Sequence, residues 1–156
     1  MSFLKLQNLS THFPVRGGGL ISRPTETIKA VDGVSFEIKR GEILGLVGES
    51  GCGKSTLSRT VMQLQPATSG TVTLNGEELT SLPKKEIRKR RLDFQMIFQD
   101  PYASLNPRMT VFSTLAEALC QRHPELKKDK TLTSKVVELM TTVGLDPRFM
   151  KKYPHE

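Results

Sequence analysis

The segment Gly48-Glu49-Ser50-Gly51-Cys52-Gly53-Lys54-Ser55 fits the pattern G-x-x-x-x-G-K-[ST] at every fixed position. Its residue types suit a cradle for a magnesium-bound triphosphate. Phosphate oxygens need many hydrogen-bond donors, and backbone N–H groups converge on them only where side chains are missing. Gly48, Gly51 and Gly53 supply that room, while Glu49, Ser50 and Cys52 contribute their backbone. A helix started directly after the loop adds a partial positive charge at its N-terminus. Lys54 then acts as a point charge on the β- and γ-phosphates, Ser55 offers a hydroxyl to Mg²⁺, and Thr56 reaches the α-phosphate side. In a chain of ordinary composition this pattern arises by chance on the order of once in a few hundred.

The elements needed to hold such a loop are legible around it. Ile43-Leu44-Gly45-Leu46-Val47 is an apolar run of the kind that forms a central strand covered on both faces. After the loop, Leu57, Val61 and Leu64 recur on one side of a helix that Pro66 ends. Upstream, Leu4 and Leu6 alternate with Lys5 and Gln7, and Val34, Phe36 and Ile38 alternate with Ser35, Glu37 and Lys39, each reading as a strand with one wet face. Between them, Arg16 to Thr27 contains three consecutive glycines and Pro24 and reads as a loop. Arg40-Gly41 reads as a turn. Thr71 to Leu74 followed by Asn75-Gly76 predicts a hairpin. A short basic helix over Pro83 to Arg91 leads to Phe94-Gln95-Met96-Ile97-Phe98, a second buried-type strand. Beyond Asp100-Pro101 the pattern turns helical. Val111, Leu115 and Leu119 form one face, and Leu132, Val136, Met140 and Val143 another, stopped by Gly144. The order predicts a mixed α/β core over 1–98 and a helical part over 99–156.

Composition narrows the class. With 156 residues, 37% hydrophobic and 25% charged, the chain has the profile of a soluble globular domain. No apolar run is long enough to cross a bilayer, and the first residues lack a secretion signal, so a cytoplasmic chain is expected. Cys52 and Cys120 read as free thiols, no Cys/His spacing suits a metal, and His12, His123 and His155 are scattered without a catalytic role. Of the net charge of +7, much is concentrated in Lys84, Lys85, Arg88, Lys89, Arg90 and Arg91. That cluster reads first as a solvated face. Contact with nucleic acid or acidic lipid is the competing reading, although flanking aromatics for base stacking are missing.

Three stretches together resemble one family. Val31-Asp32-Gly33-Val34-Ser35-Phe36 and Gly41 through Thr56 look like the ATP-binding subunit of ABC transporters. Gln99-Asp100-Pro101-Tyr102-Ala103-Ser104-Leu105-Asn106-Pro107-Arg108-Met109 resembles the oligopeptide, dipeptide and nickel importer group within it. The resemblance implies a P-loop NTPase fold: an ABC ATPase core with an antiparallel β subdomain and a helical subdomain. It implies ATP and Mg²⁺ as ligands. Gln99 matches the glutamine that contacts Mg²⁺ and the attacking water and responds to the γ-phosphate. Phe13 resembles the aromatic that stacks on adenine, with a plain core phenylalanine as the rival reading. The segment from Tyr102 to Met109 falls near the surface that receives membrane permease subunits. A second ATPase subunit would complete a head-to-tail dimer on the cytoplasmic face of the membrane, with no nucleic acid involved.

In the family such a sequence continues into the signature motif L-S-G-G-Q, then an acidic strand with a magnesium-linked Asp, a catalytic Glu and a switch His. None of these occurs among the 156 residues. A fragment that hydrolyses ATP slowly or not at all is therefore expected, since Lys54, Ser55 and Gln99 are only part of the set that phosphoryl transfer needs. The alternatives are a nucleic-acid-associated ABC ATPase and a non-catalytic nucleotide-binding remnant.

Overall fold

The computed structural model describes residues 2–16, 24–100 and 104–156. The chain divides into two compact units, Met1–Gln95 and Met96–Glu156.

Strand β1 (Ser2–Arg16) is the hub of the first unit. It pairs antiparallel with β2 (Pro24–Lys39) on one side and with β3 (Ser69–Leu74) on the other, and β3 continues into the short β4 (Glu77–Glu78). The sheet order is β2-β1-β3-β4. Leu6 and Leu9 stand an odd number of residues apart, which in a regular strand would send them to opposite faces. A register shift between them, with Asn8 at φ 47°, resets the alternation, and both end up buried. The Asn75-Gly76 turn forms as expected, with both residues at positive φ, the geometry of the tight hairpin turn.

The expected loop from Arg16 to Thr27 is shorter than the composition suggested. Pro14, Val15 and Arg16 pair with Thr27, Glu26 and Pro24, so strand continues to both sides of residues 17–23, which lie outside the described residues with the three glycines. Pro24 is tolerated because it is the first residue of its strand.

Helix α1 (Lys54–Val61) buries Leu57 and Thr60. It ends sooner than predicted: Gln63 adopts φ 53°, and Leu64 is exposed instead of lying along the inner face. Helix α2 (Lys84–Arg90) buries a single residue, Ile87. Leu57 and Ile87 join Leu6, Leu9, Val31, Val72 and Leu79 in one core, with Phe94 packed against its margin.

Two expected strands are not found. Residues 42–49 and 95–98 carry no regular structure, and no strand among the described residues pairs with them. Instead of being buried, Ile43 is 95% and Val47 91% exposed, and Ile97 is 98% exposed. An apolar run states that burial is wanted but does not supply the neighbours that provide it. The expected boundary after residue 98 also falls in this stretch, and the first compact unit closes at Gln95, just after Phe94, which still packs against the core.

The second unit is helical. Thr110 caps α3 (Val111–Arg122) by accepting a hydrogen bond from the Ser113 N–H at 3.2 Å. A 3-10 turn at Pro124–Lys128 buries Leu126 before α4 (Leu132–Thr142). Ala116, Val136 and Met140 form the core, flanked by Leu115, Leu119 and Leu132, as the two predicted faces require. Val143 is the exception at 68% exposure, because it sits at the C-cap, past the last helical turn. There the Leu145 N–H donates to the Met140 carbonyl at 2.8 Å and the Gly144 N–H to Thr141 at 3.0 Å, closing the helix end as predicted.

Candidate functional site

The glycine-rich loop runs from the exposed segment 42–47 directly into α1, with Gly53 as N-cap and Lys54 as the first helical residue. Gly53 is the residue that seats it. Its φ of 95° disfavours any side chain, and a Cβ there would run into the carbonyl oxygen of Ala30 on β2. The loop can therefore lie flat against β2 only with glycine at this position. At Gly48 a Cβ would stand 2.7 Å from the Cys52 sulfur, so the two ends of the loop also approach closely.

Below the loop the helix is anchored by a buried polar contact. Thr60 Oγ1 donates to the Thr56 carbonyl at 2.9 Å and lies 2.9 Å from Thr11 Oγ1 on β1, with both threonines fully buried. This bond, together with Leu57, fixes the direction in which the helix N-terminus points. No sequence pattern signals it, since two isolated threonines 49 residues apart carry no periodicity.

At its N-terminal end no side chain caps α1 and no acidic residue lies in its first turn. The first N–H groups of a helix have no partner within it, so they are available to an anion, reinforced by the helix dipole. The Lys54 ammonium folds back over the loop and donates to the carbonyls of Gly48 and Glu49, each at 2.6 Å, with the Cys52 sulfur at 3.5 Å. One cation is thus held by two backbone carbonyls of the loop. Ser55 is exposed, and Thr56 half-buried, in the first turn of the helix. Hard oxygen ligands, not a cage of carboxylates or histidines, are what this end of the helix offers a cation. Among the described residues no group of three His, Cys, Asp or Glu side chains could hold a metal. A hydroxyl beside substrate phosphates is a common way of binding Mg²⁺.

Phe13 lies on β1, half-buried and opposite Ile28 in the register, on the same hairpin whose Ala30 and Val31 meet the loop. Close by, Asp32 is bonded to the Lys29 ammonium and the His12 ring, both at 3.1 Å. Lys29 foremost, then His12, holds the Asp32 carboxyl below the usual aspartate range. His12 therefore has a hydrogen-bond partner on the strand that seats the loop. Gln99 belongs to the second unit, where it is exposed and in irregular backbone, not at a strand end as expected. Tyr102 lies outside the described residues.

A glycine-seated loop leading into an uncapped helix, with lysine at its first position, defines a phosphate-binding-loop protein. The ABC transporter family model matches residues 31–156, and the chain belongs to that family. It is 44% identical to the oligopeptide transport ATP-binding protein AppF of Bacillus subtilis and 48% identical to OppF of the same organism, over 99% and 98% of its length. It is 43% identical to the glutathione import ATP-binding protein GsiA of Pectobacterium atrosepticum. The chain covers 46%, 48% and 24% of those three proteins, so it spans about half the length, or less, of the relatives it matches. In fold it is similar to the dimeric structure of MJ0796, a bacterial ABC transporter cassette, with a TM-score of 0.75 at 24% identity, covering 97% of this chain and 62% of that one. The fold is that of an ABC ATPase cassette, in part.

Proposed function

We propose that this chain binds ATP with Mg²⁺ at Gly48 to Thr56 and forms the front part of the energy-coupling subunit of an importer for oligopeptides. The observation that carries the reading is the Lys54 ammonium drawn into a loop whose following helix starts without a cap. The printed names of AppF and OppF, oligopeptide transport ATP-binding proteins, support the transport class. In this reading the backbone of Gly48, Glu49, Ser50, Gly51, Cys52 and Gly53 wraps the phosphates. Lys54 exchanges its bonds to the loop carbonyls for phosphate oxygens, Ser55 takes Mg²⁺, and Thr56 bonds the α-phosphate side. Bound ATP supplies the phosphoryl group whose transfer powers transport. Phe13 stacks on the adenine, and Gln99 responds to the γ-phosphate.

The helical unit, residues 99–156 in the expected division, is the part that meets membrane permease subunits. A second ATPase subunit completes a head-to-tail pair at the cytoplasmic face of the membrane, a peripheral placement in keeping with the absence, among the described residues, of any helix able to cross a bilayer. The 156 residues alone hydrolyse ATP slowly, because they hold no signature motif, acidic strand or catalytic glutamate.

Calorimetric titration of the chain with ATP, with and without magnesium, tests the site. Magnesium strengthens binding to the unaltered chain, and Ser55→Ala removes most of that gain while leaving magnesium-free binding in place. Equal magnesium dependence in the two proteins would overturn the role of Ser55. In the same samples, turnover in the range of about 1–100 per second would show a complete catalytic set and refute the slow-hydrolysis claim.

A further inference from the structure

Helix α2 and the residue after it carry six cations, and the structure sorts them into two groups. Lys89 pairs with Glu86 at 2.9 Å, and Arg90 with Glu77 at 2.8 Å and Asp93 at 3.8 Å. These are ordinary surface pairs of small energetic value. Lys84, Lys85, Arg88 and Arg91 have no ion pair among the described residues; Lys85 lies outside, and the other three line one groove of about 790 Å³. The groove lies between α2 and the connection from α1 to β3, where residues 63–70 form its other wall.

The lining is chemically one-sided. It holds three cations and no carboxylate, over a floor that includes the buried Ile87 and half-buried Leu82. Thr80 in the lining donates its hydroxyl to the Glu78 carboxylate at 3.2 Å. Cations in the last turn of a helix offset its dipole, which accounts for basic residues at positions 88–90. It does not account for three of them facing one concavity without a counter-charge, an arrangement that an anion would relieve. Two guanidinium groups match phosphate oxygens in paired hydrogen bonds, and the volume is that of a small-ligand site. No aromatic side chain lines the groove, so the platform needed to stack nucleic-acid bases is missing.

We propose that this groove is a second anion site, separate from the glycine-rich loop, which binds a phosphate group through Lys84, Arg88 and Arg91. Phosphate of this kind comes from a soluble phosphate compound or from an anionic lipid headgroup, and the test distinguishes the two.

The experiment uses the full chain carrying Lys54→Ala, so that the loop contributes little to anion binding. Inorganic pyrophosphate is titrated into it, and in a parallel arm it is sedimented with vesicles of phosphatidylglycerol or of phosphatidylcholine. Arg88→Ala/Arg91→Ala is compared with Lys85→Ala/Lys89→Ala, which removes the same charge from the same helix outside the groove. Both pairs are exposed and replaced by a good helix former, so folding is preserved. Binding of pyrophosphate that falls about tenfold in the first pair and less than about twofold in the second assigns a soluble phosphate. The same pattern only with phosphatidylglycerol vesicles assigns a headgroup. Absence of binding to either probe, or equal weakening by both pairs, would overturn the site.

Discussion

Replacing Gly53 by alanine tests how the loop is seated, and Gly51 provides the control. Both glycines have left-handed φ, 95° and 84°, so each alanine incurs about 1–2 kcal/mol for a conformation that L-residues avoid. They differ in what surrounds them. A Cβ at Gly51 meets nothing within 4 Å, whereas one at Gly53 runs into the Ala30 carbonyl oxygen, well inside the roughly 3.3 Å at which carbon and oxygen come into contact. Overpacking of this sort costs about 1–3 kcal/mol when backbone must yield. Gly53→Ala is therefore expected to cost about 2–5 kcal/mol, and Gly51→Ala about 1–2 kcal/mol. Urea unfolding followed by far-ultraviolet circular dichroism measures both, with the difference between them isolating the contact with β2. Equal destabilisation by the two substitutions would refute the close approach of loop to strand.

Thr60→Val keeps the volume and leaves the buried Thr11 hydroxyl without its partner, so a loss of about 1–3 kcal/mol in unfolding free energy is expected. Adding Thr11→Val removes the orphaned group, and the double variant should recover part of that loss; simple additivity would argue against the bond. In the helical unit, Met140→Ala should cost about 2–5 kcal/mol, since its side chain is fully buried, and the same unfolding measurement checks this. Asp146 is held below the usual aspartate range first by the Arg148 side chain and then by its backbone N–H. A lowered carboxyl contributes stability that is present above the unfolded-state value and lost as pH falls through the folded one, so this contribution disappears in acid. Carboxyl-carbon NMR should show Asp146 titrating below a free aspartate, and Arg148→Ala should move its midpoint upward.

The shape of the glycine-rich loop was legible in the sequence because it is local: glycines at fixed spacing before a lysine and a hydroxyl state where the backbone must bend and a helix must begin. The hairpin at Asn75-Gly76 and the helix end at Gly144 were legible for the same reason, each resting on backbone angles that few residues accept. Elements that depend on distant partners were not. Ile43 to Val47 and Phe94 to Phe98 carry the composition of central strands, yet no described strand pairs with them. Three glycines and a proline suggested a long loop, but pairing with β1 extends strand back to Pro24. The support beneath the site was invisible for a related reason. Thr11, Thr60 and Ala30 act on the loop only after folding brings β1, β2 and α1 together.

Nucleotide affinity with one ammonium removed probes the phosphate-binding role of the loop most directly. The chain, Lys54→Ala and Arg59→Ala are titrated with magnesium ATP under identical salt; Arg59 is an exposed cation in the last turn of the same helix. The unaltered chain should bind, Lys54→Ala should weaken binding about tenfold or more, and Arg59→Ala should leave it within about twofold. A folded chain with no affinity for ATP, or one indifferent to which of the two cations is removed, would contradict it.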